Sequence, residues 1–290
     1  MNIVIVADHY AVASGRYAMD AFRRLGHTVQ TLGVERHNDI WGLKVDPRHI
    51  WKPTEVTQDP DLVVVMDSAP HILDFAASIV DTQHGGAPVV VWGVDNHVRD
   101  YRRPQFARYF LAHKAVSIMD WTPDMQWLPC GYDPVAFTPS PKPFHERDFD
   151  FALVGVNYVK RNHVMGLLSR QGYRVAYGLG LLYDDFAAVY HNARVSLCVG
   201  AAGDVAQRVF ETAALGCGLL CDYAPDLANI AGFEQVVQVG NNATDEQWLD
   251  AARLVYQDAA YAAQCQAAAA PHTWDARAAK IVEWFSIRGV

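Results

Sequence analysis

Gly203-Asp204-Val205-Ala206-Gln207-Arg208-Val209-Phe210-Glu211-Thr212-Ala213-Ala214-Leu215-Gly216-Cys217-Gly218-Leu219-Leu220-Cys221-Asp222 reads as a short helix that turns through glycine into a buried strand. Asp204 suits an N-cap, with Gln207 three residues later as a capping-box partner. Arg208, Glu211 and Leu215 share one face at i, i+3, i+7, while Val209, Phe210, Ala213 and Ala214 face elsewhere. Gly216 fits the left-handed position that ends such a helix. A helix N-terminus favours an anion. An Arg for a diphosphate and a carboxylate for two ribose hydroxyls then make a nucleoside-diphosphate site. The plainer reading is a solvated salt-bridging pair, and the surrounding sequence decides between them.

Upstream and downstream, strand and helix signals alternate. Asp150–Val154 reads as a strand, followed by a helix from about Asn162 that carries Val164, Leu167 and Leu168. Tyr173–Tyr177, a helix from Asp184 through Tyr190, the strand Val195–Val199, the quoted helix, Leu219–Cys221 and Val236-Val237 follow, and helices from about Asp245 finish the chain. The first half repeats the pattern. Ile3–Ala7 is a continuous apolar run, as in a buried parallel strand. Ser14 caps a helix with an apolar stripe at Tyr17, Ala18, Ala21, Phe22 and Leu25, Gly26 stops it, and Thr28–Leu32 is the next strand, completing a βαβ unit. Asp61–Met66 is a third strand, the stretch from His71 to Val80 a helix, and Ala87–Trp92 a fourth strand. A fifth is expected within 110–119, where Ala115–Met119 is strand-like. Between the halves, Leu128–Pro134 and Thr138–Pro143 are too rich in proline for helix or central strand. The expectation is α/β: a Rossmann-like domain over 1–127, a proline-rich linker over 128–145 and a second Rossmann-like domain over 146–290, whose last helix is free to pack back on the first. Ligands of such sheets sit in a cleft at the strands' carboxyl ends.

The chain of 290 residues is 51% hydrophobic with a formal net charge of −8, which argues against a general binder of nucleic acid or anionic membranes. No apolar run approaches a membrane span. The first residues enter a strand at once, without a basic leader, so a cytoplasmic location is expected. The five cysteines include Cys217 and Cys221 across a glycine turn, with no second pair to complete a zinc set, and read as reduced, mostly buried thiols. There is no GxGxxG and no P-loop.

Strand Phe151–Val154 runs into Gly155-Val156-Asn157-Tyr158-Val159-Lys160-Arg161. Gly155 lets backbone approach a ligand, and Lys160 and Arg161 stand just past the strand end, where phosphates bind in these folds. A basic turn in solvent would be unremarkable alone; a second anion-ready position at Arg208 makes coincidence a poorer account.

Here the residues resemble a known family. Phe-Ala-Leu-Val-Gly155 with Lys160-Arg161, Tyr190-His191-Asn192-Ala193-Arg194-Val195-Ser196-Leu197, Arg208-Val-Phe-Glu211 before Ala-Leu-Gly-Cys-Gly, and Pro271-His272-Thr273-Trp274-Asp275-Ala276-Arg277 are similar to the GT-B glycosyltransferases. Within them the match is to the CgeB-like branch near glycosyltransferase family 4. Leu128–Pro134 resembles that family's linker. The resemblance spans about residues 128–285, and the first half matches in layout only. It implies a metal-independent, hexosyltransferase-type enzyme that binds a nucleotide-diphosphate sugar, such as a UDP-sugar, on the C-terminal domain and an acceptor on the N-terminal one. No cofactor is implied beyond that donor. Arg161, with Lys160, and Arg208 would hold the diphosphate, and Glu211 the ribose. Family 4 members often carry a second Glu eight positions earlier. Gly203 stands there, beside Asp204, so the sugar contact and the retaining stereochemistry are not carried over.

For the acceptor side, three loops follow strands: Asp8-His9-Tyr10, Asp67-Ser68 and Asp95-Asn96-His97. A carboxylate or imidazole there would act as general base, Asp95 and His97 first and His9 second, against the ordinary reading of turn and cap residues. Arg99, Arg102, Arg103, Arg108 and Lys114, interleaved with Tyr101, Phe106 and Tyr109, read as a solvated helix face or as a patch for an acidic acceptor, DNA included. His272 reads as a helix-start residue or a donor contact. The acceptor stays open among a sugar, a glycan, a protein side chain and a modified DNA base. An epimerase-type GT-B enzyme and a non-catalytic two-lobed binding protein are the alternatives.

Overall fold

A computed structural model of the chain describes residues 1–11, 13–36, 49–66, 72–77, 86–200 and 202–287. It divides into two compact units: Met1–Pro129 with Trp274–Val290, and Cys130–Thr273.

The first unit is a six-stranded parallel sheet in the order β2-β1-β3-β4-β5-β6. Its strands are β1 (Asn2–Val6), β2 (Thr28–Leu32), β3 (Leu62–Met66), β4 (Val89–Gly93), β5 (Arg108–Leu111) and β6 (Met125–Trp127). β3 and β4 are buried along their whole length, as unbroken valine runs require when helices cover both faces. Helix α1 (Ser14–Arg24) buries Tyr17, Ala18, Ala21 and Phe22. Its N-cap is Ala13, without a side-chain cap bond; Ser14 is already helical. Helix α2, residues 72–77, supplies Ile72, Leu73 and Ala76 to a core with Val4, Val63, Val91 and Tyr109.

The fifth strand differs from expectation. It lies at Arg108–Leu111, and residues 115–119 form turns and bends. The Asn96 side chain clasps the His113 backbone, donating to its carbonyl (2.6 Å) and accepting from its N–H (2.9 Å), while Ile118 N–H donates to Asn96 O (3.0 Å). These backbone groups are thereby committed to the loop after β4, so that an apolar run does not join the ladder.

The second unit is a five-stranded parallel sheet, order β11-β10-β9-β7-β8. Its elements are β7 (Phe149–Val154), α3 (Val159–Arg170), β8 (Val175–Gly178), α4 (Tyr183–His191), β9 (Ala193–Cys198), α5 (Arg208–Ala214), β10 (Gly218–Asp222), β11 (Val237–Val239), α6 (Asp245–Val255) and α7 (Ala259–Ala269). Both sheets are therefore α/β and doubly wound. The proline-rich stretch packs onto this unit. Asp133 accepts from Val135 and Ala136 N–H, Ser140 Oγ donates to His191 O (2.9 Å), and Phe137 meets Phe186 edge-on.

The last helix, α8 (Trp274–Ile287), belongs to the first unit. Trp274 is fully buried between Tyr17 (5.8 Å) and Trp92 (4.9 Å), and Arg24 grips Asp275 at 2.6 Å. All five cysteines are free and buried. Among the described residues, no helix is long and apolar enough to cross a membrane.

Candidate active site

In the second sheet, β7 leads to β8 on one side and the chain then crosses to β9 on the other. The β7/β9 boundary is thus the topological switch point, where a crevice opens at the carboxyl ends of such sheets. The residues singled out from the sequence converge there.

Gly155 follows β7 with φ +143°, and a Cβ on it would stand 2.4 Å from Arg208 Nη2 and 3.5 Å from Arg161 Nη1. The bare glycine lets the two guanidiniums close on the strand end. Arg161, on the first turn of α3, is 6% exposed. Its Nε donates to Val199 O (2.7 Å), its Nη1 to Val156 O (2.6 Å), and its plane lies 4.6 Å from the Tyr158 ring centroid. Burial, and then the neighbouring Arg208 charge, lower its pKa. A guanidinium remains charged nonetheless, so two like charges are held side by side. Arg208, the first residue of α5, has buried Nε and Nη1 atoms with no hydrogen-bond partner among the described residues. An uncompensated buried donor is costly and marks a place for an acceptor. Helix α3, whose N-cap Tyr158 makes no side-chain cap bond, brings its first-turn N–H groups to the same strand end.

Glu211 sits one turn after Arg208 and is 7% exposed. Its Oε1 accepts from Gln207 Nε2 at 2.5 Å. Burial pushes its pKa up to about 7; Gln207 and Arg208 pull it down, and the Asp133 carboxylate pushes it up. The expected two-faced helix is instead buried all round, from Val209 to Ala214, because α5 is packed against α7, β9 and β10. The expected capping box is also absent. The N-cap is Gln207, whose amide goes to Glu211, and Asp204 accepts from Ala202 N–H within its own loop. Gly216 does end the helix, with φ +84°.

Lys160 Nζ pairs with Asp222 Oδ2 at 2.8 Å. Sequence reasoning passed over Asp222 and the Gln207 contact. A lone carboxylate ending the apolar run Gly218–Cys221 was the available signal. His272 is buried among Phe210 and Phe233, and its Nε2 lies 2.8 Å from Ala231 O, a packing position within this unit.

In the first unit the candidates are spread out. Asp95 and His97 follow β4. Asp95 carries an Arg99 contact at 3.6 Å, and its N–H donates to Tyr101 Oη. The His97 ring stands edge-on to His113 at 4.7 Å, and its buried Nδ1 has no hydrogen-bond partner among the described residues. His9, after β1, is 0% exposed, and its ring lies tilted against Trp51 with centroids 4.0 Å apart. Asp67 and Ser68, with His71 and 78–80 of the expected helix, lie outside the described residues. The basic stretch is not a helix face. Arg99, Arg102 and Arg103 pair with Asp95, Asp100 and Asp74, and Tyr101, Phe106 and Tyr109 are core residues.

Residues 142–283 match the family model described as glycosyl transferase-like. That segment, just under half of the chain, is similar to the glycosyl transferase-like family. It contains Gly155, Lys160, Arg161, Arg208 and Glu211. Solved structures share the fold over nearly the whole chain. An α-glucosyltransferase in complex with UDP and a 13-mer DNA is 10% identical, covers 98% of this chain and 99% of its own, and has a TM-score of 0.69. AviGT4, a glycosyltransferase involved in avilamycin A biosynthesis, is 16% identical, with 99% and 97% covered and a TM-score of 0.61. The catalytic domain of starch synthase IV from Arabidopsis thaliana, bound to ADP and acarbose, is 9% identical, with 99% of each chain covered and a TM-score of 0.66. At these identities the likeness shows the fold, which is the two-domain GT-B fold. No curated protein matches at a significant level.

Proposed function

We propose that the protein transfers a sugar from a nucleoside-diphosphate sugar to a hydroxyl acceptor, without a metal ion. The observation that carries this reading is Arg208: buried donors with no partner among the described residues, beside Arg161, over a glycine that leaves space at the switch point. Arg208, Arg161 and Lys160 would hold the diphosphate. As the bond from the anomeric carbon to the diphosphate oxygen breaks, negative charge grows on the leaving group, and fixed cations aimed there stabilise it. Glu211, ionised, accepts from the two ribose hydroxyls. The family match and the UDP- and ADP-bound structures of like fold support a nucleotide donor.

The acceptor is assigned to the first unit, with Asp95 or His97 taking the proton of the attacking hydroxyl. The paired state of Arg99, Arg102 and Arg103 and the net charge of −8 favour a neutral hydroxyl compound over a polyanion.

Incubation with UDP-, GDP-, ADP- and dTDP-sugars tests the reading. Slow donor hydrolysis, or transfer to a supplied acceptor, is the expected result and should persist in EDTA. Isomerised sugar points to an epimerase, and binding without turnover to a binding protein. Loss of activity in chelator, restored by magnesium or manganese, refutes metal independence. Asp95→Asn or His97→Ala should lower transfer more than donor affinity; unchanged transfer in both moves the base to His9 or Asp67.

A further inference from the structure

We propose that Asp222 is a positioning residue of the anion site, setting Lys160 and the Val199–Gly200 peptide in place for a nucleoside diphosphate. The inference rests on the donor-site reading above.

Asp222 closes β10 and is 4% exposed. A carboxylate so placed must have its charge matched and its lone pairs used. Both oxygens are committed. Oδ2 takes Lys160 Nζ at 2.8 Å, and Oδ1 accepts from Gly200 N–H at 2.9 Å. The other end of that same peptide unit, Val199 C=O, accepts from Arg161 Nε at 2.7 Å. One peptide plane at the exit of β9 is therefore held at both ends by charged side chains, one from β10 and one from α3. That peptide begins the loop leading to Arg208, and the loop folds tightly back: a Cβ on Gly200 would stand 3.0 Å from Asp204 Oδ1. Asp222 thus ties the exits of three strands together.

The arrangement also fixes what Lys160 can do. A lysine on the first turn of a helix ordinarily sweeps a wide volume of solvent. Here the buried carboxylate takes one of its three ammonium donors, while 35% of the side-chain surface stays open. The remaining donors are offered from one place, on the same sheet edge as Arg161 and Arg208. Asp222 touches no donor atom itself in this scheme; it acts through Lys160 and the Gly200 loop.

The test is calorimetric titration of UDP, ADP and GDP into wild type, Asp222→Asn, Lys160→Met and the double variant. Asp222→Asn keeps an acceptor for Gly200 N–H and removes both the charge and the oxygen that takes Lys160 Nζ. It should weaken the nucleotide that wild type binds about fivefold, and Lys160→Met by a similar factor, the scale of one partly exposed charge pair. The double variant should be no weaker than either single one, because the two residues act as a unit. Losses that multiply in the double variant, or unchanged affinity in Asp222→Asn, overturn the proposal while leaving the donor-site reading in place. If Asp222→Asn melts too low to titrate, Lys160→Met decides: unchanged affinity overturns, and a fivefold loss supports. A wild type that binds none of the three nucleotides overturns the donor-site reading and this inference with it.

Discussion

Both units carry arginines just past the carboxyl ends of their strands, and they treat the charge in opposite ways. After β4, Arg99, Arg102 and Arg103 each meet a surface carboxylate, on Asp95, Asp100 and Asp74. After β7 and β9, Arg161 is held by the carbonyls of Val156 and Val199, and Arg208 keeps two buried donors without a partner among the described residues. A guanidinium neutralised by a carboxylate has little field to offer; one fixed by carbonyl dipoles keeps its full charge and cannot turn away. The count of basic residues therefore misleads. What marks a site is positive charge that the fold has left uncompensated.

The comparison breaks first, and most visibly, at Arg208. Arg208→Ala should lower the turnover of donor by about 100-fold or more, as removal of one preorganised donor to a developing oxyanion does. Arg103→Ala, by contrast, should change it less than about twofold. Equal losses in the two variants would erase the distinction between the edges.

Gly155→Ala sharpens it by sterics alone. The added methyl would meet Arg208 Nη2 at 2.4 Å, and φ +143° is strained for any residue with a Cβ. Donor affinity should fall with Arg208 displaced, and thermal unfolding should show a loss of about 1–3 kcal/mol. Full affinity in a folded Gly155→Ala protein would mean that Arg208 is not needed where it stands.

Glu211 gives a paired signature in pH. Its folded pKa, raised to about 7 by burial, lies above the ordinary carboxylate range, so between about 4.5 and 7 the native state binds more protons than the unfolded chain. Stability should fall as pH rises through that window and level off above it. Nucleotide affinity should run the other way, rising as the carboxylate ionises to accept the ribose hydroxyls. Glu211→Gln should flatten both profiles and weaken UDP at pH 8 by about tenfold, in line with about 1.5 kcal/mol for hydrogen bonds to a charged acceptor. Unfolding midpoints and titrations across pH 5 to 8.5 check both slopes. A variant whose stability falls while affinity stays the same would return Glu211 to a purely structural role.

The smallest expected effect is that of salt on the acceptor. With the arginines after β4 already paired, raising ionic strength should change acceptor affinity only slightly; a steep fall would reveal a polyanionic acceptor held by Arg99, Arg102 and Arg103.

Most of the layout was readable from residue order because unbroken runs such as Leu62–Met66 and Val89–Gly93 serve only as strands buried on both faces. Ala115–Met119 is also largely apolar and has a different fate: Ile118 N–H goes to Asn96 O, and the Asn96 side chain clasps the His113 backbone just before, a link that no local pattern announces. At the anion edge, spacing past the strand ends singled out Gly155, Lys160, Arg161, Arg208 and Glu211. Their partners were invisible. Asp222 lies 62 residues from Lys160 along the chain, and only sheet order brings β10 near α3. The burial of α5 was not legible because its cover, α7, begins 45 residues after α5 ends. The aromatic residues among the arginines after β4 were read with them as a solvated face or an acceptor patch and are core.

The path of the chain has a consequence for how the protein is made. The second unit is one uninterrupted segment, Cys130–Thr273, whereas the first needs Trp274 to fill the space between Tyr17 and Trp92. During synthesis domains ordinarily fold in the order they emerge. Here the sheet that leaves the ribosome first must wait, its tryptophan socket open, until the whole second unit has been threaded out behind it. Of the two units, the one whose strands emerge first is completed last.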